Sequence, residues 1–556
     1  MMMRRAIAVL SLAIVFTTPA FACEAPSAHA QPLQKTAYEP LYTGLGNVHH
    51  PVTTKSAQAQ KYFDQGLAFD YGFNHDEAYQ SFAAAAALDP TMAMADWGIA
   101  LVFGPNYNLP GNDERMKIAY QSIQHAQSLE VNASPQEKAL IEALAKRYGP
   151  DGKQMPEREM AYANAMREVA HQYPDDPDVQ TLFAESLMDL HPWELWTKDG
   201  KPGPQTAELV ATLERTLKKY PDHLGANHYY IHAVEASPHP ERALVSARRL
   251  ATMAPMQGHL MHMPSHIYVR TGMYHEVSTT NEVAIKSDQK FLAESHESGI
   301  YPVMYGTHNY DFLLYGEMME GRKNDAIKTA RELKDAIPAD VVKTLPAAEV
   351  MWPKPYFAMA RFGAWEEILA EPPPPKDFAY TNAMWHYARG LAFAAKGKPD
   401  DVAAEQKELE ASAAAVSPEF MVGPNNKGPA VTKLASQILT AAIANARGDR
   451  DAAIRDYTEA VRIQDALGYD EPPSWYYPVR ESLGAELLAA KKDAEAEAVY
   501  RADLKRNPDN PRSLYGLEES LRAEGKAEEA SKVEARFTKA WSHADISLAP
   551  EKVAAQ

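Results

Sequence analysis

YFDQGLAFDYGFNHDEAYQSFAAAAALDP, residues 62–90, is the stretch that decides the fold. Its apolar and small residues recur at helical spacing on both sides of a polar centre at Asn74 and His75, which predicts two helices joined by a tight turn. Gly66 and Ala85 let the two backbones approach each other, and Pro90 ends the second helix. One such pair cannot bury its apolar faces alone, so we expect further pairs stacked beside it.

Copies of this pattern recur along the chain. Strong copies follow at Leu483 with Gly484 and from Pro511 onward, and weaker ones are registered on Gly272, Gly321, Gly397 and Gly448. The spacing of large residues, glycine, alanine and proline resembles the tetratricopeptide repeat, W-x2-L-G-x2-Y, then A-x3-F, then P. The resemblance implies an all-α fold: a right-handed α-solenoid of stacked helix-turn-helix repeats with inserted loops and a concave face that commonly binds peptides.

Composition and periodicity divide the chain into six segments. They are a signal peptide at 1–22, an extended N-terminal arm at 23–55, an N-terminal and central solenoid with a histidine-lined groove at 56–370, a proline-rich junction with a divergent repeat at 371–430, C-terminal repeats at 431–545, and a tail at 546–556. Loops rich in proline, glycine and asparagine are expected at 104–112, 198–205, 371–376 and 417–429.

The first 22 residues have the layout of a secretory signal. Arg4 and Arg5 precede an apolar run at 6–16, and small residues at Ala20 and Ala22 precede Cys23. The run is too short to span a bilayer. We therefore expect a periplasmic or secreted protein. Cys23 is the only cysteine, so no internal disulfide can form; its lipidation would instead make an outer-membrane lipoprotein, the one case in which we expect membrane contact.

The charge of the chain bears on its partners. The formal net charge is −18, a surface sign that repels phosphate backbones, so nucleic acid is not an expected partner. Searching for catalytic signatures gives no nucleophile elbow, phosphate-binding glycine loop or dinucleotide fingerprint. His275 and Glu276 begin like a zinc-protease helix, but Thr279 stands where the second histidine is needed. The sequence therefore assigns no catalytic residue.

Four histidines repeat at the period of the fold. His228 and His232 are four residues apart, as are His262 and His266, so each pair lies on one helix face. The second pair follows the first by 34 residues, which is the tetratricopeptide period. The resemblance implies that all four imidazoles face the concave groove from equivalent places in neighbouring units.

Carboxylates and further aromatic residues share this register. Glu235 lies one turn beyond His232, and Tyr229 follows His228 directly. Neighbouring units add the remaining members of the predicted ligand groove: Glu185, His308 and Asp311. Imidazole with carboxylate and without thiolate suits zinc or copper.

Two functions remain open. In the first, the groove binds a peptide, a protein segment or a small molecule, with or without a metal ion. In the second, the chain is a metal-dependent enzyme or a metal carrier. His228, His232, His262 and His266 would then hold zinc or copper, and Glu185 or Glu235 would act as a ligand or general base.

Three further features stand outside the register. Residues 191–196, with two tryptophans, are interpreted first as a packing plug and otherwise as a wall or lid of the groove. Residues 471–480 are interpreted as a repeat junction. His49 and His50 are expected to be a solvated pair in the arm.

Overall fold

The computed structural model describes residues 40–295, 297 and 299–548. The predicted signal peptide, the predicted arm up to residue 39 and the end of the tail from residue 549 lie outside the described residues. Within the described parts, the chain is an all-α solenoid in which consecutive helices pack on one another, so the expected fold class is confirmed.

The N-terminal helices begin at well-formed caps. Asn74 accepts a hydrogen bond from the backbone N–H of Glu77, and Ser134 with Glu137 forms a reciprocal capping box. The helices are α1 Ala57–Asp70, α2 His75–Leu88, α3 Ala93–Phe103, α4 Asp113–Leu129, α5 Pro135–Ala145, α6 Pro156–Gln172, α7 Pro177–Met188 and α8 Thr206–Lys219, with a 3₁₀ turn at Glu130–Asn132. The expected loops at 104–112 and 198–205 connect α3 to α4 and α7 to α8.

The central helices carry the histidines. Pro264 has no backbone N–H, and the chain changes there from one short helix to the next. The helices are α9 Leu224–Glu235, α10 Leu244–Met253, α11 Gly258–His262, α12 Pro264–Thr271, α13 Tyr274–Ser295, α14 Thr307–Glu320, α15 Lys323–Asp335, α16 Ala339–Thr344, α17 Lys354–Arg361 and α18 Trp365–Ala370. Short 3₁₀ segments lie at Pro240–Ala243 and Pro346–Met351, and a π turn lies at Pro302–Gly306.

The C-terminal part continues as paired helices after one small hairpin. The helices are α19 Ala379–Ala395, α20 Pro399–Ala415, α21 Gly428–Ala446, α22 Arg450–Ala466, α23 Arg480–Ala489, α24 Asp493–Arg506, α25 Pro511–Ala523 and α26 Ala527–Ala540. The expected loop at 417–429 contains two short antiparallel strands, β1 Met421–Gly423 and β2 Asn426–Lys427.

Glycines permit the closest helix contacts. A Cβ atom built on Gly66 or Gly98 would lie 2.7 or 2.6 Å from the ring of Phe82, so the aromatic ring of α2 fills the space that both glycines leave. Tyr500 has the same relation to Gly484 and Gly516 in the C-terminal repeats. The repeat pattern therefore marks places where a large ring lies against bare backbone.

The apolar core has two large parts that meet on α14. Phe312 and Met319 belong to the core of the N-terminal and central helices, whereas Leu314 and Met318 belong to the core of the C-terminal helices. The domain boundaries stated above remain predictions. In the described residues no helix is both long enough and apolar enough to cross a membrane.

The described part of the arm is extended and is held by long-range hydrogen bonds. The backbone N–H of Met256 donates to the carbonyl of Gly44 at 3.0 Å, and the hydroxyl of Thr53 donates to Glu137 at 2.6 Å. The arm therefore joins α1, α5 and the segment before α11, which are far apart in sequence.

Candidate metal centre

Six buried or half-buried histidines converge between α9, α11, α12 and α14. We call them the histidine cluster, and they are His228, His232, His259, His262, His266 and His308. Neighbouring rings lie 4.8–6.3 Å apart between centroids. Repeat stacking brings the α9 pair beside the α11 and α12 pair, as the 34-residue spacing predicts, and α14 adds the last ring.

One nitrogen of each of four rings is held by an oxygen. Nδ1 of His228 lies 2.6 Å from the carbonyl oxygen of Tyr71, and Nδ1 of His232 lies 3.0 Å from Oε1 of Glu235. Nδ1 of His262 lies 2.6 Å from Oδ1 of Asn281. Nδ1 of His266 lies 2.6 Å from Oε2 of Glu235 and 2.5 Å from Oε2 of Glu471. In His228, His232 and His262 the oxygen acceptor places the ring proton on Nδ1, which leaves Nε2 with its lone pair for another partner. His266 differs, because its ring forms ion pairs with the two carboxylates.

The remaining nitrogens point toward one another. The Nε2 atoms of His262 and His266 are 2.8 Å apart, and those of His228 and His259 are 3.2 Å apart. Nε2 of His232 is buried without a hydrogen-bond partner, as is Nδ1 of His259. Buried polar atoms are normally satisfied, so these two nitrogens are available to a further partner.

Burial and charge set the protonation of the cluster. Burial lowers the pKa of His228, His259, His262 and His308 well below the usual value, so these rings are neutral and able to act as ligands. Burial also lowers the pKa of His266, but the carboxylates of Glu235 and Glu471 outweigh it and raise that pKa to about 10. In the metal-free protein, Nε2–H of His266 therefore donates to His262, and a metal ion there would replace this proton.

The potential ligands fall into three overlapping groups. Within each group the nitrogen or oxygen atoms lie within 4.8 Å of one another: His262 with His266 and His308, His228 with His232 and His259, and His232 with Glu235 and His266. Among the described residues no thiolate belongs to these groups. The set suits zinc or copper.

A cavity of about 760 Å³ adjoins the cluster. Four of the six histidines reach its wall, namely His232, His259, His266 and His308. Other wall residues come from the loop after α3, the segment before α8, the α14 to α17 region and the segment after α22. The wall is mostly aromatic and aliphatic, and the charge of Lys354 is taken by Asp311 at 2.7 Å.

The structure places the predicted groove residue Glu185 away from the cluster, whereas Tyr229 lies beside His228, with 5.3 Å between the ring centroids. Glu185 on α7 lies with Asp70 and Asp189 around Arg147, where burial raises the pKa of Glu185 well above its usual value. Tyr229 packs between Tyr71 and Phe73 in the core. The sequence predicted Glu185 as a member of the ligand groove, but Glu185 belongs to none of the ligand groups among the described residues.

The remaining predicted residues are near the cluster but in a different setting. His308 joins the first ligand group, and Asp311 lies on the cavity wall in its pair with Lys354. The resemblance implies an open concave face, whereas His228 and His262 are completely buried. Segments distant in sequence cover them: Phe73 lies against His228, and Phe312 lies against His262.

Several residues of the centre were missed by the sequence reasoning. His259 lies three residues before His262 and seven before His266, so helical spacing already placed it on the same face. Glu471 lies 205 residues after His266, and no local signal connects them. The 191–196 segment is a cavity wall, where Trp193 stacks on Tyr107 with a backbone φ of 63°, a rare conformation for a bulky residue.

A second set of potential ligands, His50 with Asp176 and Asp178, is already satisfied within the protein. His50 Nδ1 donates to Asp178 at 2.9 Å, and His223 and Tyr71 also donate to this carboxylate. The expectation of a solvated histidine pair is therefore wrong for His50, which is buried, while His49 is exposed beside Asp64.

Comparison with known proteins finds only distant structural likenesses and identifies no function. No protein-family model matches the sequence, and no curated protein matches it. Among solved structures, a human IFIT1 dimer with m7Gppp-AAAA is 14% identical over 88% of this chain and 91% of that chain, with a TM-score of 0.32. The P58(IPK) TPR domain is 12% identical over 85% of this chain and 100% of that chain, with a TM-score of 0.22. Likenesses of this degree carry no inference about this chain.

Proposed function

We propose that the protein binds a transition-metal ion, zinc or copper, through His262, His266 and His308, and that a small organic ligand meets this ion from the adjoining cavity. The observation that carries the proposal is the 2.8 Å approach of Nε2 of His262 to Nε2 of His266. Nδ1 of His262 is hydrogen-bonded to Asn281, and Nδ1 of His266 forms an ion pair with Glu235. A metal bonded to two imidazoles at about 2.0–2.1 Å holds their nitrogens about 2.9–3.4 Å apart, so the rings need to move only slightly.

The proposed ion has an open side. Three protein ligands leave at least one further position in a zinc or copper site, and His266 and His308 both reach the cavity wall. A ligand in the cavity can therefore coordinate the ion directly. The same arrangement favours a second candidate function, a metal-dependent enzyme, because an open metal position beside a cavity can activate water or a substrate.

The cavity favours a particular kind of ligand. Its volume of about 760 Å³ suits a small molecule better than a folded segment. Tyr107, Trp193, Met304 and Phe357 supply an apolar wall, and the nearby lysine is already paired. We infer a largely apolar organic ligand with one metal-coordinating atom, in preference to an extended peptide.

Metal analysis of full-length, tag-free protein tests this proposal. After chelation and reloading with Zn²⁺, wild-type protein should retain stoichiometric zinc, and the double variant His262→Ala with His266→Ala should lose the ion of this site. The matched control is His125→Ala with His239→Ala, because both rings are exposed and each contacts one carboxylate. Circular dichroism should show the same helix content in all three proteins. Full zinc retention in the first variant, or no zinc in wild type, overturns the proposal.

We also propose that the protein is exported, which rests on the sequence of residues 1–22 alone. The intact mass of protein from the periplasmic fraction of an expressing bacterium should match a chain that begins at Cys23. A mass that includes residues 1–22 would contradict export by this route.

A further inference from the structure

The three histidines that the proposed zinc or copper site leaves unused form a second potential site. His228, His232 and His259 place ring nitrogens within 4.8 Å of one another, and all three rings are buried. They come from α9 and α11, so two neighbouring repeat units contribute to this group as they do to the first. We call this group triad B, and we call His262, His266 and His308 triad A.

Triad B has ring nitrogens available for a metal ion. The Nδ1–H groups of His228 and His232 donate to Tyr71 and Glu235, so the Nε2 atoms of both rings carry lone pairs. Nε2 of His232 and Nδ1 of His259 have no hydrogen-bond partner although both are buried. Nε2 of His228 lies 3.2 Å from Nε2 of His259, a separation that two ligands of one ion adopt.

One carboxylate joins the two triads. Glu235 contacts Nδ1 of His232 through Oε1 and Nδ1 of His266 through Oε2, so it orients one ligand in each triad. The rings of His232 and His266 are 5.5 Å apart, and those of His259 and His262 are 6.0 Å apart. The two triads are therefore immediate neighbours, and each presents two rings to the same cavity wall.

We propose that the centre is binuclear: triad A holds one ion and triad B a second, both facing the cavity, with Glu235 fixing the histidines of both. The inference rests on the proposed function and extends it. Two adjacent ions can hold two oxygen or nitrogen atoms of one ligand at the same time. The ligand class is accordingly narrowed to apolar small molecules that carry a bridging donor group, such as a carboxylate or a catechol-like pair of oxygens.

Counting ions in the complete chain tests the inference. Chelator-treated wild-type protein, reloaded with Zn²⁺ and freed of excess metal, should contain two zinc ions per chain. His228→Ala with His259→Ala should contain one, and so should His262→Ala with His308→Ala. The control His125→Ala with His239→Ala should contain two. One ion in wild type that is lost in His262→Ala with His308→Ala overturns the binuclear centre and leaves the proposed function standing. A single ion that this variant retains, or no ion in wild type, overturns both.

Loading with Cu²⁺ gives a second test, because magnetic coupling between two ions is measured in the wild-type protein and does not depend on the folding of a variant. Two adjacent Cu²⁺ ions couple magnetically through space, so the electron paramagnetic resonance spectrum of wild type should be broadened and should contain a half-field transition. Each triad variant should show the full signal of one isolated Cu²⁺. If an alanine variant fails to fold, His228→Gln with His259→Gln keeps the polarity and volume of the rings more closely. Two uncoupled copper signals in wild type would contradict adjacent sites.

Discussion

Glu235 is the residue on which both triads depend. It is completely surrounded by protein, and its two oxygens contact the Nδ1 atoms of His232 and His266. Burial favours the neutral acid, but the charge of His266 and the hydrogen bond from His232 outweigh it and hold the pKa of Glu235 at about 2. A carboxylate held in the charged form orients both imidazoles and increases their basicity toward a metal.

Replacing Glu235 should weaken metal binding without removing a ligand. We expect Glu235→Gln to lower zinc affinity about 10–100-fold, because an amide keeps the shape but not the charge behind both rings. Competition against a chromophoric chelator measures this change. Glu241→Gln is the matched control, since Glu241 is exposed and contacts the exposed His239. An affinity unchanged in Glu235→Gln would show that the carboxylate does not act on the ions.

Single residues of the centre were predictable only where they follow the repeat. His228, His232, His262 and His266 could be placed together because helical and 34-residue spacings are local properties of the sequence. The oxygen atoms that contact the Nδ1 atoms of these histidines could not be predicted. Tyr71 lies 157 residues from His228 in the chain, and its contact is made by a backbone carbonyl that no side-chain pattern reveals.

At the scale of elements, the glycines that face Phe82 should control helix packing. A methyl group at position 98 would lie 2.6 Å from the ring, which has no room to move because the ring is completely buried. We expect Gly98→Ala to lower the free energy of unfolding by about 1–3 kcal/mol. Urea denaturation followed by circular dichroism measures it. Gly306→Ala, where no atom lies within 4 Å of the added Cβ, should change stability much less; equal effects would contradict this packing.

The buried carboxylate of Asp178 is one of the groups that hold the arm. Asp178 on α7 accepts hydrogen bonds from His50 of the arm, from His223 before α9 and from Tyr71 after α1. We expect Asp178→Asn to lower the free energy of unfolding by about 1.5–3 kcal/mol, because hydrogen bonds to a charged acceptor are replaced by weaker ones. Asp175→Asn is the control in the same turn, since Asp175 is exposed beside Lys219. Equal urea midpoints for the two variants would contradict the fastening role.

The fastening should also depend on pH. Burial opposes ionisation, but His223 and His50 hold the pKa of Asp178 well below its usual 3.8. A lowered pKa in the folded protein contributes stability that is fully present above 3.8 and is lost as the pH falls through the folded value. The stability difference between wild type and Asp178→Asn should therefore shrink on acidification below about pH 4. If the stability difference between the two proteins grew on acidification, the lowered pKa of Asp178 would not be the source of the stability.

Element positions were predictable, but the faces they present were not always. The helix pair at 62–90 and the loops at 104–112 and 198–205 follow from proline, glycine and apolar spacing. Glu185 shows the limit. Its unit diverges from the repeat pattern, and its carboxyl group lies with Asp70 and Asp189 around Arg147, a buried charge group assembled from three distant segments.

Across the whole molecule, the C-terminal repeats contribute to the centre. Glu471 contacts His266, and the neighbouring Asp470 accepts hydrogen bonds from Asn425 and Asn426 of the β1–β2 hairpin. The buried Arg361 and Glu481 pair joins α17 to α23 nearby. These contacts close the solenoid across the cavity. Repeat spacing does not encode them, so the sequence alone predicted an open groove.

Metal binding should consequently stabilise a segment far from most of the ligands. We expect Zn²⁺ to slow backbone hydrogen exchange in residues 469–478 as well as in α9 and α12, because the ion fixes His266 and with it Glu471. Glu471→Gln should retain the slowing in α9 and α12 but reduce it in 469–478. If Zn²⁺ left the rate of hydrogen exchange in residues 469–478 unchanged, closure through Glu471 would be contradicted.

The most direct test of the central claim is an anomalous difference map from zinc-loaded crystals of the protein. The account predicts a peak about 2.0–2.1 Å from Nε2 of His262 and of His266, with a second peak beside His228 and His259. Zinc peaks at exposed side chains, together with no peak at the histidine cluster, would contradict the account.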